Sequence, residues 1–127
     1  MEGARQCRIE VIEALGQALV LAVEGEISIH TVRSFRAAVL RLIDAGARQI
    51  VVDLTAVTFI DSTALGVLMS GQRKLRPRGG SIVIAARQPI APLFKTVGLE
   101  RLFAVCATRE EGLRVATAQQ VRSERQP

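Results

Sequence analysis

The sequence predicts a small α/β domain whose mixed β-sheet opens with an antiparallel hairpin and continues with parallel strands. Its 127 residues suffice for one ordinary domain and are too few for two separate cores. Apolar strand-like runs alternate with helical patterns after residue 31, which favours parallel strands joined by helical crossovers. Two strand patterns, at 11–13 and 18–24, flank Gly16-Gln17, which is typical of a hairpin.

The hairpin is followed by a helix and a buried strand. Gly25, between two glutamates, is expected to end the second hairpin strand. Apolar residues follow helical spacing from Thr31, and Gly46 is a candidate for the helix C-terminus. The run 50–54 is apolar on both alternating faces except for one aspartate, so it predicts a strand buried on both sides.

The second half of the chain continues the alternation of helices and strands. A helix is predicted to begin after Asp61, and the apolar run 82–86 predicts the next strand. Pro89 suits the first turn of a third helix. Gly98 followed by an apolar residue is typical of a helix stop, and 103–106 predicts a short last strand.

The C-terminal part carries a helix and a polar tail. Thr108 with Glu111 three residues later forms a capping-box pattern for a final helix, which we expect to run through Ala116. Residues 119–127 are polar and are expected to be disordered. The predicted organisation is therefore a single domain over 1–118 with about four helices.

Composition argues against several classes of partner. The formal net charge is +5, but only four aromatic residues, all Phe, are present, too few for the base stacking that single-strand binders use. No apolar run approaches the roughly 20 residues that cross a bilayer, and the N-terminus lacks the apolar core of a signal peptide. We therefore expect a cytoplasmic protein without direct nucleic-acid or membrane partners. Two cysteines and the single histidine, His30, show no metal-ligand spacing, so no metal or cofactor is expected.

Catalytic patterns are incomplete. The segment that begins at Gly66 has the two glycines of a phosphate-binding loop but lacks its Lys and Ser/Thr. Ser62, His30 and either Asp53 or Asp61 could form a triad, but Ser62 lacks the Gly-x-Ser-x-Gly elbow. We expect no enzyme, with a Ser62 nucleophile as the remaining catalytic alternative.

One helix start combines a capping residue with a free hydroxyl. Asp61 is a good N-cap, because its carboxylate can accept a hydrogen bond from the second or third helical N–H. Ser62 would then be the first helical residue, with its hydroxyl facing solvent. On spacing alone, the simpler interpretation is a well-capped helix.

The same segment is the centre of a family resemblance. From about Ile9 to Ala116 the chain resembles STAS domains, the fold of bacterial anti-sigma factor antagonists. The resemblance rests on these segments in order: Gly25-Glu26-Ile27, 50–54, Phe59-Ile60-Asp61-Ser62-Thr63-Ala64-Leu65-Gly66, Gly79-Gly80 and Thr96-Val97-Gly98-Leu99.

The resemblance implies a function. In this family the Asp-Ser phrase carries a regulatory serine, here Ser62, which is phosphorylated by a serine kinase of histidine-kinase-like ATPase fold that is itself the anti-sigma factor. Thr63 is the alternative phosphate acceptor, and a homodimer is left open. The residues that the resemblance assigns to the partner surface are Asp61, Ser62, Thr63, Ala64, Gly66, Val67, Ser28 and His30.

Two positions depart from the family pattern. Ala64 stands where the family often has Gly, and Ser28 stands where Gly-Glu-Ile is usually followed by Asp. His30 offers a polar contact near the missing carboxylate. The departure at Ser28 favours an alternative function, an interaction subunit of a transporter or stress-signalling assembly that is not phosphorylated.

Overall fold

A computed structural model describes residues 6–13, 18–96 and 98–125. The described part folds into a five-stranded sheet of order β1-β2-β3-β4-β5, in which β1 and β2 are antiparallel and the other neighbours are parallel. This confirms the predicted fold class. The strands are β1 (Cys7–Glu13), β2 (Leu19–Ile27), β3 (Gln49–Ile60), β4 (Ser81–Ala85) and β5 (Ala104–Cys106). The helices are α1 (Val32–Asp44), α2 (Ser62–Leu75), α3 (Ala91–Thr96) and α4 (Arg109–Arg125).

Helices cover both faces of the sheet. On one face α1, α2 and α3 pack on the larger apolar core, to which β3 contributes Ile50, Val52 and Leu54. On the other face α4 packs over the intervening Val51 and its neighbours. The predicted burial of this strand on both sides is therefore confirmed, because side chains alternate between two covered faces.

The two central strands are longer than their apolar runs. We predicted that Gly25 ends the second strand, but β2 continues to Ile27 through two register shifts. Gly25 permits this with a φ of +101°, and an added Cβ there would lie 2.1 Å from the Gln6 carbonyl oxygen. β3 likewise extends beyond residue 54, since its last residue, Ile60, pairs with Ile27. The predicted Gly16-Gln17 turn lies outside the described residues.

The third helix starts later than Pro89 suggests. It begins at Ala91, so the proline precedes the helix instead of occupying its first turn. Phe94 is fully buried on this helix, and its ring meets that of Phe103 edge to face at a centroid distance of 6.2 Å. Leu93, the preceding residue on this helix, is 38% exposed.

The last helix is longer than predicted. The capping pattern is confirmed, because the Glu111 N–H donates to the Thr108 hydroxyl at 3.1 Å. However, α4 runs to Arg125, so residues 119–125 are helical, whereas we predicted that the helix ends at Ala116. The extension is anchored by tertiary contact, since Gln119 accepts a hydrogen bond from the hydroxyl of Ser81. No helix within the described ranges combines the length and apolarity that a membrane span requires.

Candidate functional site

The site lies where β3 leads into α2. The Asp61 N–H donates to the Ile27 carbonyl at 3.1 Å, which ties the end of β2 to the start of the helix. The Asp61 carboxylate caps α2, because Oδ1 accepts from the Thr63 N–H at 3.0 Å and also from the Thr63 hydroxyl. The predicted N-cap is therefore confirmed.

The same carboxylate joins a second segment to the site. Asp61 Oδ2 accepts from the Ile29 N–H at 2.9 Å, so both carboxylate oxygens are engaged by backbone. This bond brings the loop between β2 and α1 next to the start of α2. The two predicted groups of site residues, around Ser28 and around Ser62, are thereby placed side by side.

The two candidate phosphate acceptors differ in their surroundings. Ser62 is exposed, and no hydrogen bond to its hydroxyl is present among the described residues. Thr63 is only partly exposed, and its hydroxyl donates to Asp61. A partner's active site can reach the Ser62 oxygen without breaking the cap, whereas the Thr63 oxygen is part of the cap.

Ser28 shapes the adjoining loop. It is 8% exposed, and its hydroxyl accepts from the His30 N–H at 3.2 Å. Its own N–H donates to the Thr31 hydroxyl at 2.9 Å. The side chain of Ser28 therefore holds the loop, whereas His30 is exposed.

Three more predicted partner residues lie on α2. Gly66 is exposed, but Ala64 and Val67 are 1% and 6% exposed. These two side chains belong to the apolar face that packs on the sheet, as their helical spacing requires. Both side chains therefore position the helix on the sheet, and their predicted contact with a partner stays a prediction.

Two exposed apolar side chains border the site and were not singled out from the sequence. Ile29 is 68% exposed and Phe59 is 48% exposed. Ile29 lies in the loop bonded to Asp61, and Phe59 precedes Asp61 by two residues. The alternation of residues between the two faces of β3 could have predicted that Phe59 is exposed. This argument requires knowing that the strand reaches Ile60. Aromatic and apolar residues exposed beside a polar site are typical of protein interfaces.

A groove between α1 and α2 continues from the site. Its volume is about 350 Å³, and Thr63 and Gly66 line it together with Leu40. Arg36 and Lys74 also line it, so the groove is bordered by positive charge. A partner that carries carboxylates is favoured there by charge complementarity.

The described residues do not assemble the catalytic triad that the sequence allowed. The carboxylate of Asp61 is engaged by Thr63 and Ile29, and that of Asp53 by Thr55 and by the guanidinium of Arg109 at 2.7 Å. Neither carboxylate orients His30 in the described structure, whereas a serine nucleophile requires an oriented base.

Both cysteine thiols lie in surroundings that raise their pKa. Burial raises the pKa of the Cys7 thiol, and it also raises the pKa of Cys106. Reactive cysteines instead have a lowered pKa. Among the described residues there is also no group of three or more His, Cys, Asp or Glu side chains arranged to hold a metal ion.

The pKa of the capping carboxylate, Asp61, determines how this residue's contribution to stability depends on pH. Hydrogen bonds, first that from the Thr63 hydroxyl, lower the pKa of Asp61 below its ordinary value of 3.8. A carboxylate whose pKa is lower in the folded state stabilises the fold above its unfolded pKa, and this contribution is lost as the pH falls through the folded pKa. We expect Asp61→Asn, which still caps but cannot titrate, to be less stable than the wild type near neutral pH.

The measurement is the free energy of unfolding by urea between pH 7 and 2 for both proteins. The difference between them should shrink below about pH 4, where the unfolded-state carboxylate becomes protonated. A difference that stays constant over this range would show that the Asp61 charge contributes nothing to stability.

Comparison with known proteins shows which family this chain resembles. The STAS domain family model matches residues 9–112. The protein named "Putative anti-sigma factor antagonist BtrV" from Bordetella bronchiseptica is 26% identical over 93 residues, covering 72% of this chain and 80% of that protein. The crystal structure of an anti-sigma factor antagonist from Mycobacterium paratuberculosis has a TM-score of 0.81 and 25% identity, over 87% of this chain and 94% of that one.

A more distant structure shares the fold. The phosphorylated form of the Bacillus cell fate determinant SpoIIAA has a TM-score of 0.67 and 24% identity, over 84% of this chain and 97% of that one. The family match itself extends from β1 into the start of α4 and therefore covers well over half of the chain. The protein belongs to the STAS domain family.

Proposed function

We propose that this protein is an anti-sigma factor antagonist that binds an anti-sigma serine kinase through the Ser62 end of α2 and so releases a sigma factor. Phosphorylation of Ser62 by that kinase ends the binding. The observation that carries the proposal is the exposed hydroxyl of Ser62. Ser62 is the first residue of a 14-residue helix and follows the capping residue Asp61. The relatives named as anti-sigma factor antagonists support it.

The fold can accept a phosphate at this position. A phosphoserine adds about −1.5 to −2 charges, and the positive end of the α2 macrodipole favours an anion at the helix N-terminus. Asp61 is a neighbouring negative charge, but its carboxylate is already engaged by the Thr63 and Ile29 donors. Because Ser62 is exposed, the phosphate stays hydrated, and we expect the folded state to persist.

A partner interface over Ser62 cannot accept the same phosphate. Binding would remove water from a charge that has no cation opposite it, and burying an unpaired charge costs several kcal/mol. A loss of about 3 kcal/mol already weakens binding more than 100-fold. The modification therefore acts on the complex and leaves the fold intact.

The surface around Ser62 indicates the chemistry of the partner. Ile29 and Phe59 supply exposed apolar area on one side, and the groove with Arg36 and Lys74 lies along α2. A kinase surface with an apolar centre and acidic residues toward the groove complements both. The protein acts by binding and not by catalysis, and it does so in the cytoplasm, where sigma factors work.

The test is phosphate mapping with the captured kinase. The tagged protein is used to capture partners from a lysate of the source organism, and a captured protein with a histidine-kinase-like ATPase domain is purified. It is then incubated with Mg-ATP and wild type, Ser62→Ala or Thr63→Ala. We expect phosphate on Ser62 in the wild type and in Thr63→Ala, and none in Ser62→Ala. Phosphate on Thr63 in the wild type, or no phosphate at all, would refute the proposed switch.

A second candidate function is supported by Ser28. Ser28 stands where the family usually has Asp, so this position has no carboxylate, and the serine hydroxyl instead accepts from the His30 N–H. An interaction subunit of a transporter or stress-signalling complex has no need of that carboxylate. Capture of a transporter ATPase, with Ser62→Asp binding it as well as the wild type, would favour this function over the kinase-regulated one.

A further inference from the structure

The two edges of the sheet differ in length. β5 forms one edge with three residues, whereas β1 forms the other with seven. Among the described residues, no strand pairs with the outer side of β1. A long edge strand presents unpaired N–H and C=O groups, which readily pair with another strand. The outer side of β1 is therefore open to pairing with another strand.

The hydrogen-bond pattern shows which β1 groups point outward. The Glu26 N–H donates to the Gln6 carbonyl at 3.0 Å, and the antiparallel register is constant from Cys7 opposite Gly25 to Glu13 opposite Leu19. Hydrogen-bonded pairs alternate in an antiparallel ladder, so even-numbered residues of β1 bond to β2. The odd-numbered residues point their N–H and C=O groups outward. These are Cys7, Ile9, Val11 and Glu13.

We propose that two copies of this chain pair through β1, antiparallel about a two-fold axis at Ile9. The two five-stranded sheets would then form one continuous sheet. The outward groups allow pairing only of odd-numbered residues with odd-numbered residues. Registers with the two-fold axis at Ile9, Glu10 or Val11 satisfy this condition. The charges of the side chains that face each other distinguish these three registers.

The register about Ile9 is the one that matches charges. It places Arg8 of each copy opposite Glu10 of the other, in the non-hydrogen-bonded positions where side chains lie closest. A register about residue 10 instead sets Glu10 against Glu10. A register about Val11 sets Glu10 against Ile12. Opposite charges across strands stabilise a pair and like charges destabilise it, so the sequence of β1 is self-complementary in one register.

The register about Ile9 also brings apolar side chains of the two copies together. On the α1 face of the sheet, Ile9 meets Ile9, and Val11 meets Cys7 of the other copy. Val11 is 48% exposed, so this contact covers an exposed apolar residue. On the opposite face, Arg8 already bonds Glu24 at 3.4 Å within its own chain. Its guanidinium has five donors and can therefore lie between Glu24 and the second copy's Glu10.

The first test is charge reversal, measured by sedimentation equilibrium over a range of protein concentrations. We expect the wild type to dimerise weakly, because the interface is smaller than a standard one. Arg8→Glu and Glu10→Arg should each weaken the dimer about 10-fold or more, since each places like charges opposite each other twice. The double variant Arg8→Glu with Glu10→Arg restores the pairs and should restore the dimer. Glu24→Gln removes the Arg8–Glu24 pair only and should dimerise like the wild type.

The second test reads the register by disulfide cross-linking. In a background of Cys7→Ser and Cys106→Ser, single Cys variants are made at Ile9, Glu10 and Val11 and oxidised. Ile9→Cys should cross-link fastest, because only this residue meets itself, at a Cα separation of about 5.5 Å that a disulfide can span.

Either test can overturn the proposal. Faster cross-linking at residue 10 or 11 would indicate another register and overturn this one. A wild type that is monomeric at every concentration, or a double variant that stays monomeric, would overturn β1 pairing altogether. The proposal does not depend on Ser62, so Ser62→Asp should dimerise like the wild type even if the proposed kinase switch is wrong.

Discussion

Replacing Ser62 by Asp is expected to weaken binding of the anti-sigma kinase about 100-fold or more, while the unfolding temperature stays near that of the wild type. The carboxylate places a permanent charge at the exposed start of α2, where the helix macrodipole favours it. In the proposed complex, the same charge loses its water, and burying an unpaired charge costs several kcal/mol. The change should therefore affect the complex and not the fold. Isothermal titration calorimetry with the purified kinase and a thermal unfolding curve give the two quantities.

Two control variants make this result specific. Ser62→Ala should bind as tightly as the wild type and remain bound after incubation with Mg-ATP, because it cannot be phosphorylated. Thr117→Asp adds the same charge at an exposed position of α4, which packs on the other face of the sheet, and should leave binding unchanged. Equal affinity of Ser62→Asp and the wild type would contradict an interface over Ser62.

Replacing Phe94 by Ala is expected to reduce the free energy of unfolding by about 3 to 5 kcal/mol. Phe94 is fully buried against Phe103, and it joins the short helix α3 to the main core. Removal of its ring leaves a cavity that the surrounding side chains fill only in part. Because a domain of this size has a total stability of about 5 to 15 kcal/mol, this loss is a large fraction of it. Urea denaturation provides the measurement.

The neighbouring residue supplies the matched control. Leu93 lies on the same helix but is 38% exposed, so Leu93→Ala should cost less than about 1 kcal/mol. If both variants lost the same stability, burial on α3 would not be the reason for the loss.

The strongest local signals in the sequence predicted the structure well. The helical spacing of the apolar residues after Thr31 identified the buried face of α1. The five apolar residues with this spacing are all buried: Val32, Phe35, Val39, Leu42 and Ile43. The capping pattern of Asp61 and the position of Ser62 were also predicted correctly, because a cap involves only residues near each other in the chain. The exposure of Ser62 follows from the same local geometry.

Interactions between distant segments were not predicted. Gln72 is 5% exposed, accepts from the Ile82 N–H at 2.6 Å and donates to the Leu102 carbonyl at 2.5 Å. Nothing in the sequence around Gln72 distinguishes it from a solvent-facing glutamine. Its role arises because the packing of α2 on β4 leaves a backbone N–H that needs an acceptor.

The sequence by itself determined the order of elements, the two-sided burial of the central strands and the capped helix with an exposed serine, because periodicity and capping are properties of neighbouring residues. Only the tertiary structure decided how far β2, β3 and α4 extend, since those ends are stabilised by partners elsewhere in the chain. The hydrogen bond from the Ile29 N–H to the Asp61 carboxylate is likewise known only from the tertiary structure. That contact joins residues 32 positions apart, and no spacing rule reaches that far.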